Sequence, residues 1–189
     1  MSKALSNQMM EWNTTPWRKL ERRVHKLQKR IFQASVRGDV KAVRSLQKTL
    51  MRSWSAKALA VRKVTQDNQG KKTAGVDGVK SLTPKARLKL VTNLRLSNPV
   101  KPSRRVWIPK PPKKEKRPLG IPTMQDRATQ ALVKLALEPE WEARFEPNSY
   151  GFRPGRSVHD TIAAIYTSIN KKPKWVLDAD ISNCFDWAS

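Results

Sequence analysis

The apolar positions in the first third of the chain recur with a helical period. Leu20, Val24, Leu27, Ile31 and Ala34 fall on one face of a helix starting at Trp17, and Arg and Lys fill most of the rest. Gly38 suits the end of that helix, and Asp39 suits the cap of the next. The second helix runs through Val43, Leu46, Leu50, Trp54 and Leu59 to about Val64. Residues 1–16 read as a loose lead-in ending at Thr15-Pro16. The first 65 residues therefore predict a basic helical hairpin. Two ordinary solvated helices are the alternative, but such helices mix both signs of charge.

Beyond the hairpin the pattern changes. Residues 67–79, DNQGKKTAGVDGV, form a loop rich in Gly, Lys and Asp. Thr83-Pro84 is a cap followed by proline at the first helical position, and a helix continues to about Leu96. Pro99 and Pro102 hold an extended linker. Residues 104–109 (RRVWIP) and 117–121 (RPLGI) are short extended runs around a basic turn, a β-hairpin in which Pro118 marks an edge strand. A helix runs from Thr123 to about Phe145, with a break expected near Pro139. After a loop at 147–156, Ser157 and Asp160 open a helix to about Asn170. Trp175 to Ile181, WVLDADI, predicts a strand. The fold class is α+β, and no internal repeat is evident.

Composition sharpens this picture. The 189 residues hold 39 Lys+Arg against 15 Asp+Glu, a formal net charge of +24. Residues 1–114 carry 29 of those cations and five acids, and residues 115–189 carry ten of each sign, so all of the excess lies in the first part. Such a field attracts polyanions, with phosphate contacts and counterion release as its usual use. An acidic membrane surface would want a helix with one strongly apolar face, which the core-sized stripes here do not supply. One Cys excludes a disulfide scaffold, and the apolar runs are too short to span a bilayer. The expected compartment is reducing and cytoplasmic.

Three blocks carry candidate chemistry. In WVLDADISNCFD, residues 175–186, Asp178 and Asp180 fall on the same strand face. A carboxylate at a strand end can hold a divalent metal; a plain polar turn is the alternative. In SYGFRPGRSVHD, residues 149–160, Arg153 and Arg156 flank a proline at a helix start, which suits phosphate; pairing with nearby acids is the alternative. Residues 104–127 set Arg104, Arg105, Lys110, Lys113, Lys114, Lys116 and Arg117 around Trp107, which can stack on a base or pack inward. His25 and His159 are too isolated to suggest a metal site.

Taken together, NQGKKTAGVDG, RRVWIPK, KRPLGIPTMQDR, LEPEWEARFEPNSYGFRPGRSVHD and DADISNCFD resemble, in family order over roughly residues 17–186, the N-terminal part of group II intron-encoded reverse transcriptases, the RT/maturase family. The resemblance implies a basic helical N-terminal extension over 1–66. It implies fingers with the start of the palm over 67–174, and the first palm strand, motif A, over 175–189. It implies RNA contacts, to intron or template, from Arg18, Arg22, Arg23, Lys26, Arg30, Lys71, Lys72, Arg104, Arg105, Arg153 and Arg156. Lys110 and Arg117 match fingertip residues that contact the incoming nucleotide, although the gap between them is slightly longer here. Asp180 matches the first catalytic, metal-binding aspartate, Ile181 presents backbone nearby, and Phe185 matches the aromatic that screens the nucleotide sugar.

The complete enzyme in that family uses Mg²⁺ and a DNA primer. Two metal ions need more than one aspartate, and the family draws the others from a Tyr-Ala-Asp-Asp turn that this sequence lacks. The ending Trp187-Ala188-Ser189 departs from the family pattern, consistent with a gene remnant, a split gene or a chosen boundary. The expectation is a chain that does not polymerise alone and that either meets a second chain completing the palm or leaves residues 175–189 poorly packed. Three functions follow: half of a reverse transcriptase, a truncated RNA-binding relative, or a basic structural subunit recruited into another assembly.

Overall fold

The computed structural model describes residues 11–109 and 116–181. Its first helix, α1 (Trp17–Val36), buries Leu20, Val24, Ile31 and Ala34, the stripe that the period predicts. Gly38 ends it with φ +71°, the left-handed region that glycine adopts without strain. Gly38 N–H donates to Ser35 O (2.9 Å) and Asp39 N–H to Ala34 O (3.0 Å), the paired bonds of a glycine-closed helix end. The Asp39 carboxylate then accepts from Ala42 N–H at 2.9 Å and starts α2 (Val40–Arg52). One three-residue turn thus closes one helix and opens the next.

The single second helix expected to run to Val64 is in fact broken. At Ser53 the backbone is extended (φ −67°, ψ 136°). Its hydroxyl donates to Leu50 O at 2.8 Å and accepts from Ala56 N–H at 3.2 Å, so one side chain ends α2 and caps α3 (Trp54–Arg62). Buried Ser55, Ala56, Ala58 and Ala60 let α3 approach its neighbours closely, and one π-helical turn (Lys63–Asp67) follows. The lead-in is not loose throughout. Trp12 is 2 % exposed, its ring edge-to-face with Trp17 at 4.8 Å, and its indole N–H donates to Gln66 Oε1 at 2.9 Å.

Next, α4 (Pro84–Asn93) starts at the Thr83 cap and stops before Leu96, because the chain turns extended to bury Leu94. Strands β1 (Arg104–Pro109) and β2 (Lys116–Ile121) form a two-stranded antiparallel ribbon, with Arg104 opposite Ile121 and Trp107 opposite Pro118. The last helix of this unit, α5 (Met124–Glu142), packs on α1, α2 and α3. A single core joins Leu20, Val24 and Ile31 to Val43, Leu50, Val61, Val91, Leu94, Leu132 and Ala136. It runs across residue 66, and the first compact unit extends to Arg144.

The expected break at Pro139 does not occur; α5 continues through it. A proline has no N–H, so the carbonyl four residues back, Leu135 O, loses the donor that a regular helix would give it. Gln28 of α1 donates to that oxygen at 2.9 Å. Gln47 of α2 donates to Ala136 O at 3.3 Å and to the Glu140 carboxylate at 2.7 Å, and Ser35 donates to Glu140 O at 3.0 Å. Gln28 thus supplies the one donor that the proline removes, and Gln47 and Ser35 tie the next turn to α2 and α1.

The second unit begins at Phe145. Its helix α6 (Val158–Ile169) opens with a full capping box: Asp160 N–H reaches Ser157 Oγ, and the Asp160 carboxylate accepts from Ser157 N–H at 2.7 Å. No residue of α6 is buried. The strand expected over 175–181 is not formed. These residues have no regular structure, and Trp175, Val176, Leu177 and Ile181 are exposed. Among the described residues no neighbouring strand pairs with them, and a lone strand gains neither ladder bonds nor burial. The unpaired, exposed run over 175–181 therefore agrees with a poorly packed segment where the motif A strand was expected.

Two measurements test this account. Gln28→Ala should cost about 1–2 kcal/mol in urea unfolding, since it orphans a carbonyl in a packed interface. In a Pro139→Ala background, where residue 139 regains its N–H, the same substitution should cost less than half as much; equal costs in both backgrounds contradict the assignment. Separately, the hydrogen bonds from the Ser157 side chain and backbone, and more weakly Arg156, hold the Asp160 carboxyl below its ordinary value. The cap contribution should be intact above the ordinary carboxylate range and fade as pH falls through that lowered value. An NMR titration of the Ser157 and Asp160 amides should show this step, and Asp160→Asn should remove it.

Candidate nucleic-acid interface

The polar side of α1 presents Arg18, Arg22, Arg23, Lys26 and Arg30, all exposed. Their spacing follows from the helix: Arg18, Arg22 and Lys26 stand one above another at four-residue steps, and Arg23 and Arg30 stand at seven. Among the described residues none of the five forms an ion pair; Arg22 makes one long backbone contact, Nε to Arg18 O at 3.4 Å. Their charge is open to solvent and to a polyanion.

The acids nearby are committed elsewhere. Arg62 lies between Glu21 (3.4 Å) and Asp67 (3.6 Å), with its guanidinium 4.7 Å from the Trp17 ring centre. Arg87 sits over Trp12 at 5.6 Å and donates to Gln66 Oε1 (3.2 Å) and Thr65 O (3.3 Å). These two arginines and two tryptophans brace the α1–α3 end of the unit. Motif reading misses them because the partners come from separate segments; the only local signal is two Trp residues astride Pro16.

The loop after α3 is clamped on the start of α5. Arg127 donates from Nε to Pro122 O (3.0 Å), from one terminal nitrogen to Gly70 O (2.8 Å), and from the other to Thr73 O (2.5 Å). Gly75 lies so close that a Cβ would meet Thr123 Cα at 2.8 Å and Pro122 O at 2.9 Å, both backbone atoms with nowhere to move. The blocks NQGKKTAGVDG and KRPLGIPTMQDR are thereby joined in space. Within this loop Lys71 is half-buried and its Nζ donates to Gln66 O at 2.6 Å, whereas Lys72 is exposed.

On the ribbon, side chains alternate between faces. Arg104 and Arg117 lie on one face with Val106 and Leu119, and Arg105 lies on the other with Trp107, which is 56 % exposed. All three arginines are exposed. Lys110 and Phe185 lie outside the described residues.

In the second unit the two loop arginines bind the loop itself. Arg153 is buried; it donates to Glu146 O (2.7 Å) and Ser149 O (2.8 Å) and lies over the Phe145 ring at 5.4 Å. Arg156 donates to Pro147 O at 2.7 Å and lies over Tyr150 at 5.1 Å. These bonds run to backbone carbonyls, a third option beside the phosphate and the acids that the sequence suggests. Next to them Phe152 is fully exposed at φ +58°, a strained setting for a side chain. Asp178, Asp180 and Ile181 are exposed on the segment without regular structure. Among the described residues no three acid, His or Cys side chains come together to hold a metal. No described helix is long and apolar enough to cross a membrane.

Two family profiles match the chain. The profile of the N-terminal domain of reverse transcriptase matches residues 12–94. That of reverse transcriptase (RNA-dependent DNA polymerase) matches residues 108–188. Protein YkfC of Escherichia coli is 39 % identical over 143 residues, covering 70 % of this chain and 36 % of its own length. Maturase-like protein 1 of Euglena gracilis is 34 % identical over 164 residues, 82 % of this chain and 34 % of the relative. The group II intron-encoded protein LtrA of Lactococcus lactis is 42 % identical over 85 residues, 45 % of this chain and 14 % of the relative. The chain thus spans about a third or less of these relatives, in their N-terminal part. It belongs to the reverse transcriptase family, as the N-terminal region of the group II intron maturase type.

Proposed function

We propose that this chain is the RNA-binding N-terminal portion of a group II intron reverse transcriptase/maturase, and that α1 and the ribbon are its contacts to intron or template RNA. The observation that carries the reading is the α1 face: five exposed cations that meet no acid among the described residues, on a helix whose opposite side is locked into the core. Phosphates bind such a surface by displacing counterions, with little need for base-specific contacts. Arg104 and Arg117 on one ribbon face and Arg105 beside Trp107 on the other extend the same chemistry, with the indole available for stacking. Arg153 and Arg156 contribute by shaping the 145–156 loop, and by presenting Phe152.

Polymerisation, with Mg²⁺, a DNA primer and Asp180 as one metal ligand, is assigned to the complete enzyme. The chain acts in a reducing, cytoplasmic compartment, in keeping with its single cysteine. The residues that complete a metal centre come from further palm segments, in the same polypeptide or a second one.

Affinity for structured RNA should fall steeply with salt. Replacing Arg22, Arg23 and Lys26 together by Ala should lower the slope of log K against log salt by about two to three, roughly one for each phosphate no longer neutralised. An unchanged slope would remove α1 from the interface. Primer extension on an RNA template with Mg²⁺ should be absent for the 189-residue chain; extension that Asp180→Ala abolishes would overturn the division of labour.

A further inference from the structure

A pocket of about 370 Å³ lies on the first unit between α2, α3, the segment after α4, and α5. This is toward the small end of small-ligand pockets, which run to about 300–1,000 Å³. Its rim carries four cations: Lys48 and Arg52 one turn apart on α2, Lys57 on α3, and Arg95 just past α4. No acid lines it. Among the described residues none of the four is ion-paired or hydrogen-bonded through its side chain. The groove between α1, α3 and α5 is different: there Arg62 and Lys134 are met by Glu21, Asp67 and Glu138.

The floor is apolar. Leu94 and Leu132 are fully buried beneath it, and the apolar surface a ligand can reach comes from exposed Leu96 and half-buried Met51, a polarisable thioether. A simple anion would have no use for that floor, and an uncharged apolar ligand would have none for the rim. The helix ends do not decide the matter, because α2 ends and α3 begins at the same residue, Ser53, so their end charges offset. A flat ring bearing a phosphate uses both parts.

Building on the RNA-binding reading above, we propose that this pocket takes one unpaired nucleotide of a bound RNA, its base against Met51 and Leu96 and its flanking phosphates on Lys48, Arg52, Lys57 and Arg95. RNA is recognised chiefly through such splayed bases, since its deep groove hides paired ones.

The test is equilibrium binding of the full 189-residue chain to two labelled RNA duplexes, one fully paired and one with a single bulged adenosine. The bulged duplex should bind roughly fivefold tighter, as expected from removing about 40 Å² of apolar surface from water. Ser97→Trp, a neutral change at an exposed residue of the rim, should fill the pocket and erase that advantage while leaving the paired duplex unaffected. Met51→Ala should reduce it independently. Equal affinities, or an advantage that survives both substitutions, overturn the proposal. If the paired duplex still binds with a steep salt dependence, the wider RNA-binding reading stands without the pocket; if neither duplex binds, both fail. Binding of free adenosine monophosphate to the pocket without any bulge preference assigns it to a small molecule and likewise overturns the proposal.

Discussion

A proline inside a buried helix leaves a carbonyl that must be met from outside that helix, and Pro139 sets this condition for the first unit. Gln28 meets Leu135 O, and Gln47 secures Ala136 O and Glu140 beside it. An amide placed this way fixes rotation and height, because a one-turn slip would leave the acceptor bare in a packed interface. Burial alone is less particular about register. The basic helices α1 and α2 are thereby referenced to α5. The same helix carries Arg127 near its start, which collects three carbonyls and fixes the 70–75 loop. One helix thus holds the α1 face and the Gly-Lys loop in a common frame.

The charge distribution makes sense within that frame. Few acids occur in the first 114 residues, and several are consumed by architecture: Asp39 caps α2, Asp77 accepts from Val79 N–H, and Glu21 and Asp67 hold Arg62. Glu138 and Glu140 serve within α5 or toward Gln47. Little negative charge remains to neutralise the outer faces. Exposed ion pairs contribute little to stability in any case, so this costs the fold little and keeps a strong positive field outside.

Much of this was legible in the sequence where the determinant is local. The α1 stripe, the Gly38–Asp39 turn, the Thr83 cap and the Ser157–Asp160 box each depend on residues a few positions apart. The break at Ser53 is hidden in the sequence because the apolar period runs on through Trp54 and Leu59, and only the hydroxyl's two bonds show that the chain turns there. The burial of Trp12 is hidden likewise, because its partners lie at 66 and 87. WVLDADI has a strand's composition, yet a strand needs neighbours, and among the described residues it has none. The exposed cations of α1 could be read from spacing. The loop roles of Arg153 and Arg156 depend on where carbonyls fall, and the basic pocket is assembled from four separate stretches that no motif connects.

With one shared core, α1, α2, α3 and α5 open as one body, and the basic face of α1 keeps its register with the 70–75 loop. Native-state hydrogen exchange across increasing denaturant tests it most directly. The slowest amides of α1, α2, α3 and α5 should converge on one opening free energy with one denaturant dependence. Protected amides in α1–α3 that survive while those of α5 around Leu132 and Ala136 exchange by a separate, lower-energy opening would contradict it.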